Sequence, residues 1–300
     1  MRPARALVVM TPLTVARLGA KRRSIERGVM QAFPRGELVV ADDPRPLRER
    51  ISAFEPDVIV AAGGDGTANL ALQAMRERDA LAVLPLGTAN DLAHFLGVSP
   101  NRDFIGSFVL HSTRRIDLLR VNDQRFCTTG GLGLPAEVAH RVNTLRNTAR
   151  QAWLCALGSR VYSVVAAECC ACAPPLHELE IEWEPLDGRS WRRLHVRTHG
   201  LFVTNQATFA HSLQVVEDAD NADGRFELCV LLSRGRVELL RLLANIAQHA
   251  TRPGQLQMIR TRRAKIRADR ELRFFGDGEI LCKASEFELG VEAQALRLLS

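Results

Sequence analysis

The segment ALVVM, residues 6 to 10, is apolar without interruption, and the same texture returns in ELVVA at 37–41, DVIVAAG at 57–63 and LAVLP at 81–85. Short apolar runs of this kind, bounded by polar or glycine-containing stretches, predict strands buried on both faces. Between them lie segments with helical spacing: one from about Val15 to Phe33, LRERISAF after a proline-containing loop, and one from Asn69 onward. Apolar strands alternating with amphipathic helices predict a parallel sheet covered on both sides, an α/β domain spanning residues 1–115. In such sheets ligands sit beyond the carboxyl ends of the strands, where GGDGT and PLGTAND fall.

The texture then changes. RRIDLLRV, HELEIEWEPL, WRRLHVRTHGLFVTN, RFELCVLL and AKIRADRELRFFG read as strands of a mainly antiparallel domain over 116–300, interrupted by a helical hairpin at 148–170 and a helix at 235–250. The fold class expected is therefore α/β plus β. At 300 residues, 46% hydrophobic and 25% charged, the chain has the composition of a soluble globular protein. Forty Lys and Arg against 34 Asp and Glu give +6 and a pI near 9.2, a cationic bias compatible with nucleotide, anionic lipid or nucleic acid. Aromatics at 5% leave no interleaved basic and stacking surface, so no nucleic-acid role is expected. Seven cysteines, an odd number without the paired spacing of a zinc site, read as reduced cytosolic thiols. The N-terminal MRPARALVVMTPL has too short an apolar run for a signal peptide, and no run of eighteen apolar residues predicts a membrane span.

Two turns carry the candidate chemistry. In Gly63-Gly64-Asp65-Gly66-Thr67 the glycines let backbone N–H groups approach phosphate oxygens, and the helix that follows adds partial positive charge. A carboxylate there repels phosphate unless a cation, a proton or a hydroxyl donor intervenes, which favours metal-assisted phosphoryl transfer; a tight turn with Asp65 as a cap is the plainer alternative. Pro85-Leu86-Gly87-Thr88-Ala89-Asn90-Asp91 is a second strand leaving through glycine into a helix. Thr88 can donate to phosphate there, and Asn90 and Asp91 can cap the helix or organise a metal's water. The pattern is neither a Walker loop nor a dinucleotide fingerprint.

GGDGTAN at 63–69 and PLGTANDLA at 85–93, in this order and spacing, resemble the diacylglycerol kinase catalytic family, which includes bacterial lipid kinases and sphingosine and ceramide kinases. The resemblance continues through LGSRVY at 157–162, Asn205, DNADGRFEL at 220–228 and GDGE at 276–279. It implies a Rossmann-like nucleotide domain and a β-sandwich-like lipid-substrate domain, with ATP and lipid meeting between them. It also implies an ATP-dependent lipid kinase, a phosphotransferase of phospholipid metabolism, cytoplasmic and associated peripherally with the membrane. Gly63, Gly64, Asp65, Gly66, Thr67, Asn69, Gly87, Thr88 and Asn90 would hold ATP, while Asp65 and Asp91 would organise a catalytic Mg²⁺ through water. Asp220, Asp223 and Arg225 would hold a structural Mg²⁺, although D-G there is also a common hairpin signal. The proton acceptor would come from Asp277 or Glu279, with Glu279 preferred. A NAD or polyol kinase, or a regulator that binds nucleotide or lipid without catalysis, is the alternative function. The lipid is not specified, and the oligomeric state is left open, a homodimer included.

The chain departs from the family in its first loop, Thr11-Pro12-Leu13-Thr14-Val15, which lacks the usual asparagine and glycine and puts ATP binding there in question; Arg17 and Lys21 are the nearby cations. Thr128 or Thr129 stands where asparagine is common, and Glu217 where proline is common. RTRRAKIRADR at 260–270 can attract anionic headgroups, but its alternate Ala264, Ile266 and Ala268 favour a strand with one solvated face. Trp153, Leu154, Leu157, Val161, Val164 and Val165 can line a lipid-tail pocket or pack a helix.

Overall fold

A computed structural model describes residues 5–87, 90, 92–93, 98, 113–146, 160–172, 174–206, 208–209, 213–214, 220–233, 235–248 and 254–299. Two compact units divide the chain: residues 1–116 with 294–300, and residues 117–293. The last residues of the chain thus cluster with the first unit, through parallel pairing of Arg297 with Ala80 and Leu298 with Leu81.

In the first unit, β1 (Ala6–Met10), β3 (Val58–Gly63) and β4 (Ala80–Pro85) are buried along their whole length, whereas β2 (Glu37–Val40) is partly exposed. Their parallel order is β4-β3-β1-β2, which leaves β2 at an edge and explains its mixed burial. Ala6, Val8, Val29, Phe33, Val58 and Val60 belong to the core formed with these strands. Thr11 caps α1 (Pro12–Leu18) by accepting the Thr14 N–H, and Pro12 opens the helix, where no intrahelical N–H is needed. A single helix from Val15 to Phe33 is not formed. Gly19, at φ +50°, cannot continue α1, and a 3-10 turn over Gly19–Lys21 leads into α2 (Arg22–Ala32). Asp43 and Pro44 start α3 (Pro44–Phe54) in the same way as Thr11 and Pro12. The next helix, α4 (Asp65–Ala74), begins four residues earlier than Asn69, inside the glycine-rich turn.

The second unit is built on antiparallel pairings. Strands β5 (Thr113–Val121), whose first residues lie in the first unit, and β6 (Gln124–Phe126) form a hairpin. They lead to β7 (Thr129–Gly133), followed by a helix that the glycine-rich sequence did not predict, α5 (Leu134–Arg146). Its small and apolar residues Leu134, Ala136, Val138, Ala139 and Val142 are buried. After α6 (Arg160–Ala171) come β8 (His177–Trp183), β9 (Arg192–Thr198), β10 (Gly200–Thr204) and the short pair β11 (Thr208–Phe209) and β12 (Leu213–Gln214). The unit continues with β13 (Phe226–Leu231), α7 (Arg236–Ala247), β14 (Leu256–Thr261), β15 (Arg263–Gly276) and β16 (Glu279–Leu299), whose residues from 294 onward belong to the first unit. Strand order runs β14-β13-β10-β7-β15, and β15 also pairs with β8 and β16.

Phe126, Phe274 and Phe287 anchor the core of this unit, with Phe274 5.7 Å from each of the other two rings. Ala264 and Ile266 point into it while Lys265 and Arg267 face solvent opposite Glu288 and Glu286, so the basic run is a strand with one wet face. Val161 and Val165 are buried in α6 and Val164 is exposed. Trp153, Leu154 and Leu157, the first part of the expected hairpin at 148–170, and Glu217 lie outside the described residues. Among the described residues no helix is long and apolar enough to cross a membrane.

Candidate active site

The glycine turn of the first unit is shaped by backbone contact. A Cβ on Gly87 would stand 2.3 Å from the Gly64 Cα, and one on Gly63 would stand 2.0 Å from the Thr67 hydroxyl oxygen. Leu86 N–H donates to the Gly63 carbonyl at 2.8 Å, which fixes the two turns against each other. Gly64 is the N-cap of α4, and its carbonyl accepts from Thr67 and Ala68 N–H groups at 2.9 and 3.1 Å. Asp65 and Gly66 therefore occupy the first turn of a helix, the position where anions are favoured by orphan N–H groups and the helix dipole. The Asp65 carboxylate accepts the Leu92 N–H at 3.3 Å, so it tethers the second turn.

Asn90 closes that second turn on itself. Its Oδ1 accepts from Gly87 N–H at 2.9 Å and its Nδ2 donates to the Gly87 carbonyl at 3.0 Å, with a left-handed backbone at φ +54° that asparagine tolerates better than most residues. The altered first loop is joined to the same place by hydroxyls: Thr11 lies 3.0 Å from Thr14, and Thr14 lies 3.4 Å from Thr67. Thr67 and Asn69 are both buried, and Asn69 Oδ1 accepts from Gln73 at 3.5 Å. Thr88 and Asp91, proposed from the sequence beside them, lie outside the described residues.

The acidic turn of the second unit has different construction. β15 ends at Gly276, which pairs with Glu279, so Asp277 and Gly278 form a two-residue hairpin with φ values of +51° and +81°. Positive φ at both positions is what a type I′ hairpin needs, and Asp-Gly supplies it. The Asp277 carboxylate accepts from Cys127 N–H at 3.0 Å, Thr128 N–H at 2.8 Å and the Thr128 hydroxyl at 2.7 Å, while its own N–H donates to the Thr129 carbonyl at 2.9 Å. Asp277 thus fastens the hairpin to the start of β7. Glu279 is half-buried, and its Oε2 accepts from Asn143 Nδ2 at 3.1 Å; the same amide donates to the Gly278 carbonyl at 2.9 Å. Nothing in the sequence pointed to Asn143, because it is brought there by the unpredicted α5. Tyr162, from the LGSRVY stretch, places its hydroxyl 3.4 Å from where a Gly278 Cβ would be.

The third motif, Asp220 to Arg225, is a turn that serves its own backbone. Asp220 accepts from Ala222 N–H and Asp223 from Arg225 N–H, each at 3.0 Å, and Gly224 has φ +71°. Asp117, a fully buried carboxylate that the sequence reading passed over, accepts the Gly224 N–H at 2.7 Å and donates its own N–H to the Asn221 carbonyl at 2.7 Å. Asn205 Nδ2 reaches the Asp117 carbonyl at 3.4 Å. Burial pushes the neighbouring Glu227 carboxyl above the ordinary range, opposed by the Arg260 guanidinium at 2.6 Å. Among the described residues no group of three or more His, Cys, Asp or Glu side chains converges as a metal site.

Two family profiles match this chain: the diacylglycerol kinase catalytic domain over residues 25–121, and the YegS C-terminal NAD kinase beta sandwich-like domain over residues 131–300. The chain belongs to the family of the second profile, which spans more than half of it. Its relatives named diacylglycerol kinase and lipid kinase are phosphotransferases acting on an alcohol group. Among its relatives, a diacylglycerol kinase of Bacillus subtilis is 29% identical over 251 residues, 80% of this chain and 76% of that one. A YegS-like lipid kinase of Klebsiella pneumoniae is 41% identical over 86 residues, 26% of this chain and 28% of its own length. Among solved structures, a diacylglycerol kinase of Bacillus anthracis superposes with a TM-score of 0.71 at 15% identity, covering 100% of this chain and 98% of that one. An NAD kinase of Archaeoglobus fulgidus in complex with ATP gives 0.51 at 15% identity, covering 99% and 93%. The fold expected from the sequence, α/β followed by a β-sandwich-like domain, is the fold of these proteins.

Proposed function

We propose that the protein transfers the γ-phosphate of ATP to a hydroxyl of a membrane lipid, a diacylglycerol or a sphingoid- or ceramide-type alcohol. The observation that carries this reading is the cradle at Gly63, Gly64 and Gly87, where a single Cβ would collide with facing backbone or side chain and where a helix N-terminus begins. Such a surface suits phosphate oxygens rather than an apolar ligand. The backbone of Gly64, Asp65, Gly66 and Thr67 holds the phosphates in this reading, with Asn69 and Asn90 shaping the cradle and Thr88 assigned to contact the nucleotide. Mg²⁺ bound with the nucleotide would offset the charge on the transferring phosphoryl group, and Asp65 and Asp91 are the carboxylates assigned to orient its waters.

Glu279 is the residue assigned to accept the lipid hydroxyl proton as the new P–O bond forms. Its carboxylate accepts from the Asn143 amide, whereas the Asp277 carboxylate is occupied by two backbone N–H groups and a hydroxyl. We therefore assign Asp277 to positioning. The Asp223 carboxylate and the Asp220 and Arg225 carbonyls are oxygen donors, the set a hard cation takes, and the Arg225 N–H occupies one oxygen of that carboxylate. A structural Mg²⁺ there remains part of the proposal. The protein works at the bilayer surface from the cytoplasmic side, because its acceptor is held in the membrane.

ATP consumption with Mg²⁺ against diacylglycerol, monoacylglycerol, sphingoid base, ceramide, phosphatidylglycerol and NAD tests this. Lipid-dependent turnover that is lost in Asp65→Ala and Glu279→Ala is expected. Turnover only with NAD would overturn the acceptor class, and turnover that survives both substitutions would remove the site.

A further inference from the structure

The sequence ECCAC ends α6, and it spaces Cys169 and Cys172 three residues apart with Cys170 between them in sequence but not on the same face. The Cys172 N–H still donates to the Glu168 carbonyl at 3.1 Å, so helical geometry extends to Cys172 although the regular helix ends at Ala171. Cys169 is 2% exposed and Cys172 is exposed. One cysteine is thus open to reagents in solution, and the other is buried one turn back.

A cation stands at the same end of α6. Arg141, on the neighbouring α5, bonds Glu137 at 3.0 Å and approaches Glu168 at 3.7 Å, which locates its guanidinium at the end of α6. Glu137 first, then the Cys169 and Cys172 sulfurs, hold the Arg141 guanidinium above its ordinary range. All of these residues belong to the second unit. Among the other described cysteines, Cys170 and Cys229 are fully buried, Cys127 lies at the Asp277 turn and Cys282 is half-buried in β16.

We propose that Cys169 and Cys172 form a reversible dithiol–disulfide site that reacts with small disulfides of the glutathione class. The exposed Cys172 thiolate attacks one sulfur of the disulfide, forming a mixed disulfide and releasing one thiolate. Cys169 then attacks the Cys172 sulfur, loses its proton to solvent, and releases the second thiolate. Two protein thiols are oxidised by two electrons in total, and one small disulfide is reduced to two thiols. Arg141 offsets the negative charge that passes between the sulfurs. Residues three apart on a helix have Cβ atoms about 5–6 Å apart, against about 3.5–4.5 Å across a disulfide, so the terminal turn must tighten modestly. It can do so because the regular helix ends at Ala171. Burial pushes the Cys169 thiol up to about 11, partly offset by Arg141, so the second step is the slow one and speeds as pH rises.

The test treats the full chain with oxidised glutathione at neutral and alkaline pH and follows intact mass and peptide maps. The expected product has lost two hydrogen atoms, carries a Cys169–Cys172 link, and is reversed by a dithiol reductant. Cys170→Ser leaves this unchanged. Cys169→Ser stops at a glutathione adduct on Cys172, and Cys172→Ser abolishes the link. Arg141→Gln slows closure several-fold, measured beside its thermal unfolding so that a folding defect is seen as such. A link joining any other pair, an adduct on wild-type Cys172 that never closes, or oxidation that persists in Cys172→Ser would overturn the proposal.

Discussion

The glycine turn of the first unit and the acidic turn of the second are both strand ends that lead to candidate chemistry, yet they are made in opposite ways. The first is defined by missing side chains: Gly64 and Gly87 approach until a Cβ on Gly87 would lie 2.3 Å from the facing Cα. The second is defined by a side chain with several bonds, the Asp277 carboxylate holding the Cys127–Thr128 backbone. A cradle of the first kind fails by filling; a turn of the second kind fails by loosening. Identical substitutions at neighbouring acids should therefore read out differently.

The largest contrast is expected between Glu279→Gln and Asp277→Asn. Removing a proton acceptor should lower kcat by roughly 10²–10⁴-fold. Because Glu279 is half-buried and a glutamine there can still accept from the Asn143 amide, its thermal midpoint should stay close to wild type. Asp277→Asn replaces a charged acceptor of several hydrogen bonds, each in a class contributing about 1.5–3 kcal/mol, so its chief effect should be a lowered unfolding midpoint. Calorimetry beside initial rates separates the two; a stable, inactive Asp277→Asn would reverse the assignment of roles.

Gly87→Ala comes next. Overpacking costs typically about 1–3 kcal/mol, and here the backbone must separate where phosphate is proposed to bind. A large rise in the dissociation constant for ATP is expected, measurable by titration calorimetry, with the second unit unaffected. Affinity equal to wild type would show that the cradle does not receive the nucleotide.

Much of this architecture was legible in the sequence because it is local. ALVVM, DVIVAAG and LAVLP read as buried strands since their apolar runs have no polar interruption, and Asp-Gly announced a turn because few residues tolerate positive φ. What was not legible depends on packing at a distance. Leu134–Arg146 received no element from the sequence, and it is as a helix packed on β7 and β15 that it delivers Asn143 to Glu279. The Asp117–Gly224 bond spans 107 residues, beyond any pattern in a window of sequence. The division between Asp277 and Glu279 needed the identity of each hydrogen-bond donor, which the motif alone does not carry.

Asn143→Ala sharpens that point with a smaller effect. Losing the amide that steadies the Glu279 carboxylate should reduce kcat by about tenfold, the scale of one charge-assisted hydrogen bond at a partly exposed site, with ATP affinity unchanged. A fall in ATP affinity instead would place Asn143 in nucleotide binding.

The smallest expected effect lies away from both turns. His177 is 5% exposed, and burial, then the Arg270 charge, hold its ring below the ordinary value of 6.5. The unfolded chain takes up this proton more readily than the folded one, so stability is present above about pH 6.5 and is lost as pH falls through that value toward the lower folded one. His177→Gln should flatten that acid limb of the unfolding profile; an unchanged slope would assign the loss to other groups.

The central claim is most directly tested by single-turnover transfer of labelled γ-phosphate from ATP to diacylglycerol in vesicles, comparing wild type with Glu279→Gln at equal ATP occupancy. The account predicts labelled lipid from the wild type and a transfer rate lower by roughly 10²–10⁴-fold in the variant. Transfer by Glu279→Gln within a few-fold of wild type, or wild-type label that appears only as inorganic phosphate, would contradict it.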